Sequence, residues 1–453
     1  MWRFSLATWK KQKSSIEKGK VTMMSLFKGP MRQHIQGFKD LTDHSDILEV
    51  KAGKEVYIPL VAGAATNFEM FVKEGDRVAV GTKLAECNER NVVPIYSSVS
   101  GIVKGKQKIM HSSLKPVDHL VIENDGEYRE IPSFEPMDYK TASKDELVTF
   151  MMNAGIIGLG GAGFPAYIKY KFAKNVEKLI INAVECEPYI TADYKMLFAN
   201  QEDFVTGVAA MKKMADAPEV CIAIKKTHPD LIAFVSEAVK DLEGVHVTPV
   251  PDVYPMGWER TLVREIIHKE YDKLPGEVGA VVNNASTAIA FGKALTKGKA
   301  ITDKVLTVSG NAVKRPVNVH VPVGVPASEV IAACGGYTAE DVKLIAGGPM
   351  MGKTIVNDKF VIDRNMNALT VLENKPFDSV ACLRCGKCSD HCPAGLQPVR
   401  IAQAVKTKDK KAMDVLCAMD CIECGLCTYI CPSRLDVTEN VRKAKRQLML
   451  AKK

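Results

Sequence analysis

The alternation of apolar and polar positions divides the chain into stretches of different period. Between residues 49 and 103 the period is close to two. Residues 53–60 alternate into a strand, residues 72–85 carry short apolar runs around Gly75-Asp76 and Gly81, and residues 97–103 repeat the pattern. Short alternating runs separated by Gly and Asp predict a small all-β unit. From residue 144 the pattern changes: residues 144–153 read as helix, whereas residues 179–181 and 278–282 are continuous apolar runs that suit buried strands of an α/β sheet. Residues 261–271 predict an amphipathic helix. Residues 304–309 and 317–325 predict two strands around a turn, followed by a helix over 328–334 that Gly335-Gly336 would cap. Further on, Val399, Ile401, Ala402, Val405, Met413 and Leu416 predict two short helices within residues 396–419.

A chain of 453 residues exceeds one compact core, so roughly three or four modules are expected. The net charge of +8 suits a protein that meets an acidic membrane surface or an acidic redox partner, and it does not single out nucleic acid. No apolar run reaches the roughly 18 residues of a transmembrane helix. Residues 1–20 lack the continuous apolar stretch of a secretory signal, which predicts a cytoplasmic protein. Residues 1–39 hold Trp2, Trp9 and many lysines but almost no acids. A membrane-surface helix is one reading of them. An unstructured basic arm is favoured instead, or a misplaced translation start over residues 1–22, since Met23 and Met24 follow.

Cysteine placement changes the picture most. Of thirteen cysteines, eight form two runs, Cys382–Cys392 and Cys421–Cys431. The first is Cys382-Leu-Arg-Cys385-Gly-Lys-Cys388-Ser-Asp-His-Cys392-Pro393, and the second is Cys421-Ile-Glu-Cys424-Gly-Leu-Cys427-Thr-Tyr-Ile-Cys431-Pro432. Both follow C-x2-C-x2-C-x3-C-P, the spacing of bacterial [4Fe–4S] ferredoxins, in which the fourth cysteine ligates the other cluster. Zinc sites also use C-x2-C pairs, but two complete four-cysteine runs ending in Cys-Pro point to iron–sulfur. The assignment is Cys382, Cys385, Cys388 and Cys431 for one cluster, and Cys392, Cys421, Cys424 and Cys427 for the other. The fourth cysteine is expected to begin a helix that points away. Cys417 is read as a packed thiol. Such a segment moves single electrons and cannot by itself accept a hydride.

A second signal is Gly158-Leu-Gly160-Gly161-Ala-Gly163-Phe164-Pro165. The helical stretch before it argues against a Rossmann fingerprint, yet the glycines permit close approach to a flat or phosphorylated ligand. Companion segments strengthen it. Asn182-Ala-Val-Glu185-Cys186-Glu187-Pro188 follows a strand, where α/β sheets usually bind ligands. Asn283-Asn284 follows another, and Tyr254-Pro-Met-Gly257-Trp258-Glu259 precedes the amphipathic helix.

In this order the segments resemble the C subunits of the Rnf complex, the ion-translocating ferredoxin:NAD oxidoreductase of bacterial membranes. They are also similar to the flavin- and NADH-binding subunit of respiratory complex I. The resemblance runs from about residue 40 to 445 and implies FMN and two [4Fe–4S] clusters as cofactors, with NADH as substrate. It implies that the loop Gly158, Gly160, Gly161, Gly163 packs on FMN, Phe164 stacks near the nicotinamide and Lys169 meets a phosphate. Asn182, Glu185 and Glu187 correspond to the segment that contacts flavin and dinucleotide. Tyr254, Gly257 and Glu259 correspond to the segment flanking the flavin, and Asn283 and Asn284 to its paired asparagines. No side chain need act as acid or base. Ala166 replaces a common Thr, and Trp258 replaces one acid of a pair, which weakens the NADH expectation more than the FMN one.

The implied fold is multidomain, α/β plus β modules. Residues 1–40 form the basic arm and residues 41–135 a biotinyl/lipoyl-like β sandwich, whose tip near residues 89–93 lacks a carrier lysine. Residues 136–300 form a complex-I-flavoprotein-like α/β domain that binds FMN and NADH. Residues 301–365 form a ubiquitin-like SLBB module, and residues 366–453 an α-helical two-[4Fe–4S] ferredoxin domain. The motif of residues 346–352 is expected to pack near the first cluster or simply to turn. The implied role is a peripheral electron-input subunit at the cytoplasmic face, partnered by membrane-embedded subunits and another iron–sulfur subunit or ferredoxin. Two rivals are a soluble cobalamin-reductase-like enzyme and a non-enzymatic iron–sulfur relay without nucleotide binding.

Overall fold

The computed structural model describes residues 33–451 except 64, 88 and 90, so most of the expected basic arm lies outside it. At its centre, strands Lys178–Asn182, Glu219–Lys225, Val245–Val250 and Ala280–Asn284 form an all-parallel sheet. Numbered along the chain, their spatial order is third, second, first, fourth. The winding therefore reverses between Lys178–Asn182 and Ala280–Asn284, and a crevice opens beyond their carboxyl ends.

An all-parallel sheet needs cover on both faces. Leu179, Ile181, Val220 and Ile222 pack into one layer, while Ile180, Ala223 and Val282 pack into the other. Helices Gln201–Ala215 and Ala285–Lys297 cross at backbone contact. A Cβ on Gly207 would lie 1.9 Å from the Ala288 carbonyl oxygen, and one on Gly292 would lie 1.8 Å from that of Asp203. That crossing holds the helix that starts directly after Asn284.

The helix expected over 144–153 runs Lys144–Asn153, opened by a Ser143/Glu146 capping box. The one expected over 261–271 is instead Glu259–Ile267, because His268 turns left-handed (φ 58°). Tyr271 then folds back under the Arg260 guanidinium, 4.8 Å from its ring centre.

Upstream, Glu55–Pro59, Pro116–Asn124, Gly101–Met110 and Arg77–Val78 form an antiparallel sheet. It faces a smaller sheet of Glu69–Met70, Lys83–Cys87 and Val93–Tyr96. Val56, Ile58, Leu84, Ile95 and Ile122 fill the sandwich. The strand expected to begin at 97 begins at Gly101, since Ser97 and Ser100 spend their hydroxyls on Val99 O (2.7 Å) and Asp125 Oδ1 (2.6 Å) in a turn.

The SLBB-like module is a six-stranded sheet with the helix Ala327–Ala333. Its edge is Leu48–Glu49, which pairs with Val317–Pro322 from far along the chain. Leu306, Val319 and Leu369 belong to the same apolar cluster as Val56 and Ile58, so this module and the sandwich share one core. The C-terminal module packs Leu396, Ile401, Met413, Val441 and Leu448 between the helices Pro398–Lys406, Lys410–Val415 and Val437–Ala451. Among the described residues no helix is long and apolar enough to cross a membrane.

Candidate functional site

The two cysteine runs repeat one backbone shape. Arg384 and Glu423 are left-handed (φ 54° and 58°), as are Gly386 and Gly425 (both φ 79°). The Arg384 amide donates to Cys382 Sγ and the Glu423 amide to Cys421 Sγ, each at 3.4 Å. Each tight loop thus aims its first three thiols inward. The fourth cysteine does not begin a helix: Cys392 follows Lys387–Asp390 and Cys431 follows Leu426–Tyr429. The short helix carries the third cysteine instead, and its end swings the fourth across to the other run.

As a result Cys382, Cys385, Cys388 and Cys431 line one cavity, while Cys392, Cys421, Cys424 and Cys427 line a second. Four thiols around each of two adjoining cavities is the donor set that [4Fe–4S] clusters require. The two differ in exposure. Cys382 and Cys385 are exposed, whereas Cys392 and Cys424 are buried. Cys417 lies exposed at the surface, not packed in the core as expected.

The second site lies at the switch point of the parallel sheet. Strand register sets Asn284 beside Asn182 and Asn283 beside Ile181. Gly160 approaches so closely that a Cβ there would sit 3.1 Å from Asn284 Nδ2, which ties the glycine loop to the strand ends. Gly163 is left-handed and packs on Asn365, whose Nδ2 donates to the Gly161 carbonyl at 3.1 Å. Asn182 Nδ2 donates to the Gly257 carbonyl (2.7 Å), and Lys169 Nζ donates to Glu259 (3.2 Å) and Val282 O (2.6 Å). Asn283 donates to the buried Tyr170 hydroxyl. These contacts tie Gly160, Gly161, Gly163, Lys169, Asn182, Gly257, Glu259 and Asn284 to one another at the strand ends, and Gly158 closes the glycine loop, whereas Asn283 is buried behind them. Phe164, at the end of the glycine loop, is 43 % exposed and lines a cavity with Ala62, Cys87 and Asn91 of the β sandwich.

Three sequence-derived candidates are engaged elsewhere. Glu185 accepts from the Asp193 amide at 2.8 Å, and its carbonyl takes one bond from Lys39 Nζ (2.7 Å). Glu187 accepts from the Met350 and Met351 amides (3.0 and 2.8 Å). Burial pushes both carboxyls up to about 7 and pulls the Lys39 ammonium down to about 8. Tyr254 reaches away from the crevice and donates to the Cys424 carbonyl at 2.6 Å. The loop of residues 346–352 packs on the second cysteine run and not the first: a Cβ on Gly425 would lie 2.6 Å from Met350 O.

Sequence patterns missed three supports. Asp193 accepts from Asn284 Nδ2 (2.6 Å) and from Ser286 Oγ. Buried Lys304 donates to Leu159 O at 3.2 Å under the glycine loop, and burial lowers it to about 8. Lys39 braces the turn after Asn182. None belongs to a spaced motif, since each acts from a different element.

The crevice suits a flat, phosphorylated cofactor such as FMN. Exposed Gly160 and Gly161 are bare of side chains, and a Cβ on Gly161 would meet nothing within 4 Å among the described residues, so a ring can lie on the backbone. Lys169 and the start of the helix Ala285–Lys297 supply positive charge, and Asn182 and Asn284, bonded to Gly257 O and Asp193, hold the strand ends in place.

Four family models match in the order of these modules. They are an RnfC barrel sandwich hybrid domain over residues 27–127, a Nuo51 FMN-binding domain over 151–292, an SLBB domain over 305–354 and a 4Fe-4S dicluster domain over 375–438. FMN and two [4Fe–4S] clusters are accordingly the chain's cofactor set. The chain is 33% identical to the C subunit of the ion-translocating oxidoreductase complex of Rhodobacter capsulatus, covering 83% of this chain and 74% of that one. It is 34% identical to the C subunit of the Na(+)-translocating ferredoxin:NAD(+) oxidoreductase complex of Acetobacterium woodii, over 88% and 92%. With the proton-translocating counterpart of Clostridium ljungdahlii it shares 32% identity, over 83% of each. With matches of this length, and with the barrel sandwich, flavin, SLBB and dicluster modules in one order, the chain belongs to the family of C subunits of ion-translocating ferredoxin:NAD oxidoreductase complexes.

Proposed function

We propose that this chain is the peripheral electron-input subunit of a membrane-bound, ion-translocating ferredoxin:NAD oxidoreductase. It works at the cytoplasmic face, beside membrane-embedded subunits and another iron–sulfur subunit or ferredoxin. The observation that carries this reading is the direct bond from Tyr254, in the segment that flanks the crevice, to Cys424 of the cysteine run lining the buried cavity. A nucleotide crevice and an iron–sulfur relay are thereby parts of one packed unit.

When bound, FMN exchanges electron pairs with a nicotinamide and single electrons with a cluster. The residues of this chain bind and orient. Gly158, Gly160, Gly161 and Gly163 give a surface without side chains, and Lys169 balances phosphate charge by exchanging its Glu259 partner. Asn182 and Asn284, fixed by Gly257 O and Asp193, and Asn283, fixed by Tyr170, shape the floor from within, and Phe164 offers an exposed ring to a nicotinamide. Glu185 and Glu187 act from behind, bracing the crevice floor against Lys39 and the Met350 loop. Cys392, Cys421, Cys424 and Cys427 hold the buried cluster nearer the crevice. Cys382, Cys385, Cys388 and Cys431 hold the exposed cluster, where Leu383 and Phe377 present apolar surface to a redox partner.

Anaerobic titration of the purified protein with NADH, followed by absorbance and EPR with iron and FMN assays, tests the proposal. About eight irons and one FMN per chain are expected, with flavin and then cluster signals bleached by NADH. Full iron without FMN, and no response to NADH, would leave a relay only.

A further inference from the structure

Away from the crevice, at the amino-terminal end of the other two strands of the sheet, Glu219, Cys221 and His246 form a second constellation of ligating side chains. Glu219 and Cys221 lie two apart on Glu219–Lys225, so both project from one face. His246 is the direct partner of Cys221 on the neighbouring strand Val245–Val250. Three donor atoms converge there. Cys221 Sγ lies 3.6 Å from His246 Nε2 and 3.5 Å from Glu219 Oε1, and His246 Nε2 lies 3.4 Å from Glu219 Oε1.

We propose that these three side chains bind one zinc ion, with a water in the fourth position. Tetrahedral zinc with bonds of about 2.3 Å to sulfur and about 2.0 Å to nitrogen and oxygen has donor separations of about 3.5 Å for S···N and S···O, and about 3.3 Å for N···O. The three observed separations match those edges. The donor set of one thiolate, one imidazole and one carboxylate suits a borderline d-block dication and does not suit calcium or magnesium. Cys221 is 1% exposed, while the His246 and Glu219 side chains are 49% and 36% exposed, so the open coordination position faces solvent. Lys178 Nζ pairs with Glu219 Oε2, which leaves Oε1 turned toward the other two donors. This is the supporting contact that metal-binding carboxylates usually have. Binding releases the Cys221 thiol proton. The dication, two anionic donors and Lys178 then sum to a single positive charge. The ion would clamp the edge strand Val245–Val250 to the sheet, remote from both cysteine cavities.

The test is made on the full chain with its iron–sulfur clusters intact, so that the cluster cysteines are occupied. Zinc is added in competition with a chromophoric chelator, and zinc-edge X-ray absorption reads the donors. The wild type is expected to take one zinc without losing iron, with one sulfur among four donors. Cys221→Ser and His246→Ala are each expected to weaken binding at least about tenfold. His246 is half exposed, so its variant keeps the fold if Cys221→Ser does not. Absence of zinc binding, equal binding by wild type and His246→Ala, or an all-sulfur donor set would each overturn the proposal. The first would leave a hydrogen-bonded triad, and the other two would place the zinc elsewhere on the chain.

Discussion

The Tyr254 hydroxyl donates to the Cys424 carbonyl inside a small apolar cluster that also holds Ile35, Leu426 and Met350. Four parts of the chain meet there: the first described residues, the segment beside the crevice, the SLBB loop and the second cysteine run. Tyr254 is 1% exposed, so removing its hydroxyl strands a buried acceptor at a cost of about 1–3 kcal/mol. Tyr254→Phe is expected to keep FMN and iron content but to loosen the run at residues 421–427. Hydrogen exchange of those amides should rise, and NADH-driven cluster bleaching should slow relative to flavin bleaching. Unchanged exchange would show that the bond does not hold the modules together.

Gly386 and Gly425 share φ 79° but differ in surroundings. A Cβ on Gly425 would meet Met350 O at 2.6 Å, while one on Gly386 would meet only the Asp390 carboxylate, at 3.5 Å. Both alanine variants bear left-handed strain of about 1–2 kcal/mol, and only Gly425→Ala adds a backbone clash. Iron analysis should therefore show greater loss in Gly425→Ala than in Gly386→Ala. Equal losses would mean that the Met350 loop moves freely.

Asp193 is buried and accepts from Asn284 and Ser286 at the start of the helix that follows the switch point. Asp193→Ala leaves buried Ser286 and half-buried Asn284 without their charged acceptor, worth about 1.5–3 kcal/mol per bond. FMN retention through gel filtration is expected to fall, with iron content unchanged because the cysteine loops lie elsewhere. Full FMN retention would remove Asn284 from the binding reading.

Glu187 predicts a pH dependence. Its folded-state carboxyl sits at about 7 against an ordinary 4.5, chiefly because burial disfavours the charged form. Between those values the folded protein binds more protons than the unfolded chain, so stability falls as pH rises from about 4.5 to about 7. Glu187→Gln should flatten that fall by an amount on the order of 1–3 kcal/mol, read as thermal midpoints at fixed scan rate across the window. It sacrifices one of the bonds from Met350 and Met351, so its gain appears only at the alkaline end. An unchanged slope would assign the pH response to other buried groups, Glu185 and His320 among them.

The cluster ligands' expected pairing and the order of modules were legible in the amino-acid order alone. Both are local matters: a C-x2-C-x2-C-x3-C-P run encodes its own loop shape, and periods of two or of a helical turn report which face is buried. The amino-acid order also pointed to the glycine loop, Asn182, Asn283 and Asn284 as candidates, because strand ends and glycine turns are short-range signals. Only the tertiary structure decided that Tyr254 serves Cys424 and not the crevice, that Glu185 and Glu187 are buttressed by Lys39 and the Met350 loop, and that Leu48–Glu49 completes a sheet built from residues beyond 300. It likewise brought Glu219, Cys221 and His246 to one point through parallel strand register. Contacts of this kind join residues tens to hundreds of positions apart. They follow from how the shared cores close, and no periodicity within a single segment carries that information.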